Sequence, residues 1–519
     1  MRGTTSVGNM RDLRRVLVRN TLASWIHYGS AIANSLVLTP FIIGSITAPA
    51  FGVLVLLNQL TGYAGILDIG LQPALVKYTA EIRAVGDRDR LRILLSTALG
   101  LQAVVALVVL AIVSTISPYL GVWFHLEGVP ISAGKRAFLL FGLGAALGFP
   151  ASVFTGVLKG YNRFDKVAWV GVAAQCVRAF GTIAALYFNQ GIVGLAWVGF
   201  LANTVSYVGC LLLALNQTDW LVPRPSFISK ELLRPLFSFG FFGLVGSAGW
   251  YLANGTDAVV IGTYLTSSDV AHLGISLSVL TVLSGAVGAF TGTLMPAASE
   301  FQARGELQKT QDAYLIGTRV SALIACPAVA FLVFWGPQLL TAWVGQELAR
   351  PAGPLLRILA IAHLVMMINA ASIPIALGLG RHRRAALLTF CEGIANIFLS
   401  CFLVTRLGTR GVALGTLIPA VIVHGLLYPR FMCSVLNLSG YRFLRETVMA
   451  SSPWIVTLVC AMALLKWYEC AQTPGSITPM LSALSLWALA LVYKMRAIPL
   501  TYRALHPQDP VANHTHLES

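Results

Sequence analysis

One arginine near the centre of a long apolar stretch is the residue of this chain best suited to binding chemistry. Arg178 lies within residues 167–188, among small and apolar side chains, and Gln175 stands one helical turn before it. A charge at mid-bilayer costs about 3 kcal/mol or more, and a guanidinium binds phosphate oxygens with paired donors. Arg178 therefore predicts either a cationic grip on an anionic substrate or an ion pair with an acid on a neighbouring stretch.

Asp257 is the second ionisable residue deep in an apolar stretch. Asn254 precedes it by one turn and lies on the same helical face. The two residues could bind a coupling cation, or Asp257 could close a gate against Arg178. The alternative is a hydrogen-bonded cluster that joins neighbouring helices.

A third polar group lies around a possible helix break at Gly70–Pro73. If a helix continues through this break to Lys77, Asp68 and Gln72 face the interior at depth. If it ends at Gly70, Asp68 is interfacial. Lys77 is a candidate cation for the cytoplasmic mouth, and the alternative is a side chain that snorkels to the interface.

Other ionisable residues in apolar stretches favour structural roles. Arg319 and Glu392 are expected to pair with each other. His27, His363 and His424 could each relay protons, although a hydrogen-bonded structural histidine is the preferred interpretation.

The elements that must position these residues are apolar stretches long enough to cross a bilayer. Such stretches can satisfy their backbone hydrogen bonds only as helices. The chain has 519 residues, 56% of them hydrophobic and 11% charged. We therefore predict an all-α integral membrane protein with about fourteen transmembrane helices. The predicted stretches are 20–43, 50–76, 93–117, 137–158, 167–188, 192–214, 236–262, 270–296, 313–340, 355–379, 385–405, 411–433, 450–468 and 479–496.

The formal net charge of +16 has an explanation other than nucleic-acid binding. Most of the 36 lysines and arginines fall on connectors that share one side when the N-terminus is placed in the cytoplasm. The positive-inside rule then predicts that both termini are cytoplasmic. The eight cysteines lie in or beside apolar stretches without a C-x-x-C pair, so we expect packing roles and no metal site.

The two halves of the chain resemble each other at one constant offset along the sequence. Asn34 recurs as Asn254, and Gly191 recurs as Gly411 at the same separation. An even number of spans in each repeat gives two parallel copies related by an axis along the membrane normal. We predict two pseudo-symmetric six-helix lobes and a two-helix tail. The predicted boundaries are 1–215, 216–440 and 441–519.

No enzyme signature stands out in the sequence. There is no P-loop, no H-E-x-x-H motif and no pair of acids on an outer connector. We therefore predict a transporter without catalytic residues or a cofactor. Two lobes that face one another suit alternating access.

Several segments together resemble one family of exporters. These segments are 51–87, 149–170, 256–280, 294–309 and 412–423. They resemble polysaccharide flippases of the MATE-like MOP exporter superfamily, over about residues 15–435. The resemblance implies export of an undecaprenyl-diphosphate-linked oligosaccharide across the bacterial inner membrane for O-antigen, capsule or exopolysaccharide synthesis. The implied partners are this polyprenyl-linked substrate, membrane lipids, a polysaccharide polymerase and glycosyltransferases.

The resemblance also assigns roles to the candidate residues. Arg178, helped by Lys77, would neutralise the diphosphate. The sugar hydroxyls would be hydrogen-bonded by Gln175, Asn34 and Gln72. The residues that would respond to a cation gradient or act as a gate are Asp257, Asp68 and Asn254. The alternatives are a cation-coupled multidrug exporter of the same superfamily and, from another class, a membrane glycan polymerase or ligase.

Overall fold

Long helices joined by short turns make up the described chain. The computed structural model describes residues 5–67, 71–219, 222–472 and 478–489, and these ranges contain no strand. The helices before residue 220 are α1 (Thr5–Ser45), α2 (Ala48–Gly62), α3 (Leu71–Val85), α4 (Arg88–Ile116), α5 (Leu120–Trp123), α6 (Ile131–Gly160), α7 (Phe164–Tyr187) and α8 (Gly191–Gln217).

The second part of the chain is built in the same way. Its helices are α9 (Lys230–Tyr264), α10 (Ser267–Thr291), α11 (Leu294–Ala303), α12 (Leu307–Val344), α13 (Gln346–Ile368), α14 (Ser372–Gly378), α15 (His382–Leu407), α16 (Thr409–Ile422), α17 (Tyr428–Val435), α18 (Gly440–Leu444), α19 (Ala450–Gln472) and α20 (Thr478–Leu489). Two π-helical turns, Val423–Leu427 and Arg445–Met449, connect α16 to α17 and α18 to α19.

The predicted all-α membrane fold is confirmed. Twelve helical stretches of the described ranges are long and apolar enough to cross a membrane, and they coincide with twelve of the predicted stretches. Helix α9 covers the predicted seventh stretch. Helix α20 overlaps the fourteenth, whose end falls outside the described residues.

The second predicted stretch, 50–76, is divided in the structure. Helix α2 ends at Gly62, a 3-10 turn covers Tyr63–Leu67, and α3 begins at Leu71. Glycine weakens a helix, and a Cβ atom at Gly65 would collide with the ring of Tyr251. The local sequence and its packing therefore both favour the tighter turn here.

Helix packing follows the same scheme in both parts of the chain. Helix α1 packs on α7 as α9 packs on α15, and α7 packs on α8 as α15 packs on α16. Likewise, α4 packs on α6 as α12 packs on α13, and α3 packs on α6 as α11 packs on α14. These matches relate each element to its counterpart at the offset of the sequence repeat.

Two equivalent turns use glycine in the left-handed conformation. Gly86 ends α3 with φ 78°, and Gly305 follows α11 with φ 71°. An L side chain is strained in this region, whereas glycine adopts it freely. The separation of the two turns matches the repeat offset to within one position, so the repeat extends to backbone conformation.

The two parts of the chain meet along α2 and α10. Gly52 packs against the backbone of Ser267, and a Cβ atom at Gly274 would lie 3.4 Å from Cβ of Val55. Small residues allow membrane helices to approach this closely. We call this packing of α2 on α10 the α2–α10 contact, and it starts at the predicted outer face.

Candidate functional site

Arg178 lies between α7, α8 and α6 and is half-buried. Its Nη2 donates a hydrogen bond to Oδ1 of Asn203 at 3.1 Å. A Cβ atom at Gly199 would lie 3.8 Å from Nη1. Within the described ranges, no carboxylate lies within ion-pair distance of this guanidinium. An amide therefore orients Arg178 and leaves its positive charge available.

Tyr207 is a further polar residue near Arg178. Its hydroxyl donates to the carbonyl oxygen of Gly144 at 3.0 Å, which ties α8 to α6 one turn beyond Asn203. Asn203 and Tyr207 are not among the residues that the sequence predicts for the site. Their one-turn spacing on α8 is the signal that could have indicated them, because residues four apart lie on one helical face.

Asn34 and Gln175 are brought together across α1 and α7. Nδ2 of Asn34 donates to the carbonyl oxygen of Gln175 at 2.7 Å and to its Oε1 at 2.9 Å. His27 packs nearby against Gly171. Gln175 and Arg178 therefore lie one turn apart on α7, and Asn34 is attached to the same helix.

The predicted residues around α3 fall into two different environments. Lys77 is 62% exposed and lies 3.8 Å from Glu81, the acid one turn along. Gln72 instead accepts a hydrogen bond through Oε1 from Nζ of Lys159 at 3.2 Å. Asp68 lies outside the described residues.

Lys159 is a second cation held by an amide. It is half-buried near the end of α6 and lies close to Cys210 of α8. From sequence, its place in a basic connector predicts chiefly an orientation signal and secondarily attraction of anionic lipid head groups. Its contact with Gln72 places it with Lys77 among the cations near α3, on the predicted cytoplasmic side of the first six spans.

Asp257 is the centre of a buried cluster that joins α9, α15 and α16. The carboxyl group is 3% exposed, and its Oδ2 accepts a hydrogen bond from Oγ1 of Thr416 at 2.7 Å. Nδ2 of Asn396 donates to Oγ1 of Thr416 at 3.0 Å and to the carbonyl oxygen of Ala253 at 3.3 Å. Oδ1 of Asp257 has no hydrogen-bond partner among the described residues.

Asn254 is not part of this cluster. Its side chain donates to the carbonyl oxygen of Trp250 in its own helix at 3.0 Å. Its carbonyl oxygen accepts from Nε2 of Gln59 at 3.2 Å, and Tyr63 pairs with Thr256 at 2.9 Å. Asn254 therefore lies where α2 meets α9, between the two parts of the chain.

The expected pairing of Arg319 with Glu392 is wrong. Oε2 of Glu392 lies 3.1 Å from Nε2 of His424 instead, and both side chains are buried. Arg319 forms no ion pair within the described ranges. The π-helical turn at Val423–Leu427 shifts the register of the helix that carries His424, which sequence periodicity does not reveal.

One polar group links α19 to the rest of the bundle. Nε1 of Trp335 in α12 donates to Oε2 of Glu469 at 2.6 Å, and Lys466 lies 3.2 Å from the same carboxylate.

In the described part of the chain, no group of three histidine, cysteine or acidic side chains could hold a metal ion.

The fold is similar to that of solved transporters of the MOP superfamily and of a lipid flippase. The lipid II flippase MurJ in its inward closed conformation superposes with a TM-score of 0.67 at 13% identity, over 94% of this chain and 99% of that chain. A MATE family multidrug resistance transporter in an inward-facing conformation gives a TM-score of 0.62 at 17% identity, over 81% and 99%.

Sequence comparison gives the family. Residues 46–350 match the family described as "Polysaccharide biosynthesis protein". The chain belongs to this family of membrane proteins, as the sequence resemblance predicts.

Two relatives carry functional names. The "Probable low-salt glycan biosynthesis flippase Agl15" of Haloferax volcanii is 24% identical over 408 residues, 75% of this chain and 78% of the relative. The "Putative O-antigen transporter" of Shigella flexneri is 21% identical over 430 residues, 81% of this chain and 99% of the relative.

Proposed function

We propose that this protein moves an undecaprenyl-diphosphate-linked oligosaccharide from the cytoplasmic to the outer leaflet of a bacterial inner membrane. It acts as a flippase for surface polysaccharide synthesis and not as an enzyme. The observation that carries the proposal is Arg178, a half-buried cation that an amide orients and no described acid neutralises. The names of the two relatives support the same class of activity.

In this proposal the diphosphate binds within the first six spans. Arg178 supplies paired donors for phosphate oxygens. Lys159 and Lys77 add positive charge closer to the cytoplasm, where an incoming headgroup enters. Gln175, with Asn34 attached to it, offers amide groups for the first sugars one turn from the guanidinium.

The repeated helix packing supports alternating access by two lobes, residues 1–215 and 216–440. Rocking of the lobes would expose the headgroup first to one side and then to the other, while the polyprenyl tail stays in lipid. The tail segment, 441–519, would guide that lipid chain. The contact of Glu469 with Trp335 holds α19 against α12 for this purpose.

The Asp257 cluster is the proposed site that responds to a cation. Its carboxylate has one oxygen without a described partner, the hydroxyl oxygen of Thr416 contacts the other, and the amide of Asn396 is bonded to that hydroxyl. Hard cations such as Na⁺ prefer oxygen ligands of this kind. The same three helices would then be drawn together or released as the cation binds or leaves.

The test is leaflet accessibility of a fluorescent undecaprenyl-diphosphate oligosaccharide in vesicles. Vesicles that contain the full-length protein should expose both leaflet pools of this lipid to a membrane-impermeant quencher. Protein-free vesicles should expose only the outer pool. Arg178→Ala should abolish the difference, while Arg357→Ala should keep it, because Arg357 is exposed and donates to Val333.

Two results would contradict the proposal. The first is wild-type vesicles that expose no more lipid than protein-free vesicles. The second is normal activity of the Arg178→Ala protein at equal reconstitution. Movement of cationic drugs without movement of the lipid would instead favour the multidrug exporter.

A further inference from the structure

A glutamate and a histidine form a buried pair in the second part of the chain, away from the Asp257 cluster. Glu392 lies on α15 and is 2% exposed, while His424 lies in the π-helical turn and is 8% exposed. Oε2 of Glu392 and Nε2 of His424 are 3.1 Å apart. The two residues come from different helices, so their contact depends on how α15 and α16 pack.

The surroundings of the pair leave several polar atoms without partners. Nδ2 of Asn369 donates to the carbonyl oxygen of His424 at 2.5 Å, and the Tyr428 ring stacks on the imidazole at 5.1 Å. Within the described ranges, Oε1 of Glu392, Nδ1 of His424 and Oδ1 of Asn369 have no hydrogen-bond partner. Three such atoms in one buried place indicate a site that water or a proton can reach in another state.

No lysine or arginine in the described chain pairs with Glu392. Helix α9 packs with Gly249 and Leu252 against Gly393, the residue after Glu392, and the acid of that helix, Asp257, is bonded to Thr416. Other titratable groups lie on the elements around the pair. Tyr428 in α17 contacts Thr389 through its hydroxyl, and Tyr314 in α12 lies in the same buried cluster as Tyr428. His363 lies on α13, which packs on the π-helical turn, and its Nδ1 is 3.2 Å from Oγ of Ser284.

We propose that Glu392 and His424 bind one exchangeable proton and couple its movement to the movement of the lobes. In the proposed proton-loaded state, one proton lies between Oε2 and Nε2 and the pair is neutral overall. Release transfers that proton to water and leaves a carboxylate beside a neutral imidazole. Burying an unpaired carboxylate is costly, so release requires that water enters the site.

The helix around His424 provides a means of opening. The π-helical turn lies between Pro419 in α16 and Pro429 in α17. Proline removes a backbone hydrogen bond, and π-turns and prolines are frequent causes of helix bends. A bend here would separate His424 from Glu392 and admit water. The coupling of this proton to lipid transport rests on the proposed function, whereas the proton site itself does not.

The first experiment needs no substrate. Infrared difference spectra of the full-length protein in nanodiscs, taken between about pH 5 and pH 8 where histidine titrates, should carry a carboxyl or imidazole signal. Glu392→Gln and His424→Gln should each remove that signal. Asp165→Asn is the matched control, because Asp165 is also buried but is held by Arg19 in an ion pair of 3.0 Å. Spectra of the Glu392→Gln protein identical to those of wild type would overturn the site.

The second experiment tests coupling in the vesicles used for lipid movement. Wild-type protein should move the lipid several-fold faster when a pH gradient is imposed. Glu392→Gln and His424→Gln should still equilibrate the lipid at equal pH but lose the response to the gradient, while Asp165→Asn keeps it. A full gradient response in both variants would overturn the coupling. Absence of lipid movement in wild type, with the infrared signal intact, would contradict the proposed function alone.

Discussion

At the scale of single residues, amides and hydroxyls hold three of the buried or half-buried ionisable groups of this protein. Arg178 is bonded to Asn203, Lys159 to Gln72 and Asp257 to Thr416. A neutral partner satisfies a charged group without cancelling its charge. Such residues are oriented and still able to bind an opposite charge, as a transporter that must bind and release its substrate requires.

Replacing the amide next to Arg178 by an acid tests this view. Asn203→Asp places a carboxylate about 3 Å from the guanidinium and should neutralise it. Because a hydrogen bond to a charged group contributes about 1.5–3 kcal/mol, lipid movement should fall about tenfold to a hundredfold. The unfolding temperature in detergent should stay equal or rise, because a buried cation gains a partner.

Asn203→Leu provides the control for this change. It removes the amide without adding a charge, so it should retain more activity than Asn203→Asp despite the larger chemical change. If Asn203→Asp is fully active, the positive charge of Arg178 is not what binds the substrate.

The cluster around Asp257 gives a second prediction. Thr416→Val removes the donor to a buried carboxylate, which costs about 1–3 kcal/mol, so the midpoint of thermal unfolding should fall. Asp257→Asn should keep the fold but abolish any rise of that midpoint on adding Na⁺, because a ligand stabilises only the state that binds it. The measurement is thermal unfolding in detergent with and without the cation.

Thr263→Val is the control for Thr416→Val, and Thr263 lies on α9, the helix that carries Asp257. Its hydroxyl donates to Val259 in its own turn and is exposed, so its loss should leave the midpoint nearly unchanged. A cation-dependent rise that persists in Asp257→Asn would place the cation elsewhere.

Part of the candidate site could be predicted from the sequence. Arg178 and Asp257 stand out because a charge in an apolar stretch needs a partner. Asn203 and Thr416 do not, because polar uncharged residues are common in membrane helices. Their role depends on how each helix is rotated, which hydropathy does not determine. Asn396 could have been predicted from the repeat, because it follows Gln175 at nearly the separation that relates Asn34 to Asn254.

At the scale of elements, length and apolar content determine where helices run. The prediction 167–188 agrees closely with α7 (Phe164–Tyr187), and 192–214 with α8 (Gly191–Gln217). Short breaks within a helix are not predicted in this way, because hydropathy averaged over a long window does not detect them. The break between α13 and α14 lies inside the predicted stretch 355–379 and depends on a turn at residues 369–371.

The close crossing of α9 and α15 gives a prediction at this scale. A Cβ atom at Gly249 would lie 2.5 Å from the backbone nitrogen of Phe390, and Gly393 faces Gly249 in return. Gly249→Val should therefore push the helices apart and destabilise the protein by about 1–3 kcal/mol. Gly288→Ala is the control, because a Cβ atom there meets nothing within 4 Å. Equal unfolding midpoints for the two variants would mean that this crossing is looser than described.

At the scale of the whole molecule, the same arrangement of helices occurs twice, and the two copies meet along the α2–α10 contact. Equivalent glycine turns at Gly86 and Gly305 extend the likeness to details of the backbone. If the copies are rigid lobes, transport changes the contacts between them and preserves the contacts within each. Crosslinks can distinguish these two kinds of contact.

A disulfide between the lobes should stop transport, while one inside a lobe should not. Val55→Cys with Gly274→Cys joins α2 to α10 at a Cβ–Cβ distance of 3.4 Å, and Val170→Cys with Gly209→Cys joins α7 to α8 at 3.6 Å. Both distances are close to the 3.5–4.5 Å of a disulfide. In a background with the eight native cysteines replaced, oxidation should halt lipid movement only in the first pair, and a reductant should restore it. Undiminished movement with the α2–α10 crosslink formed would show that the lobes need not separate there, because a covalent bond excludes that opening.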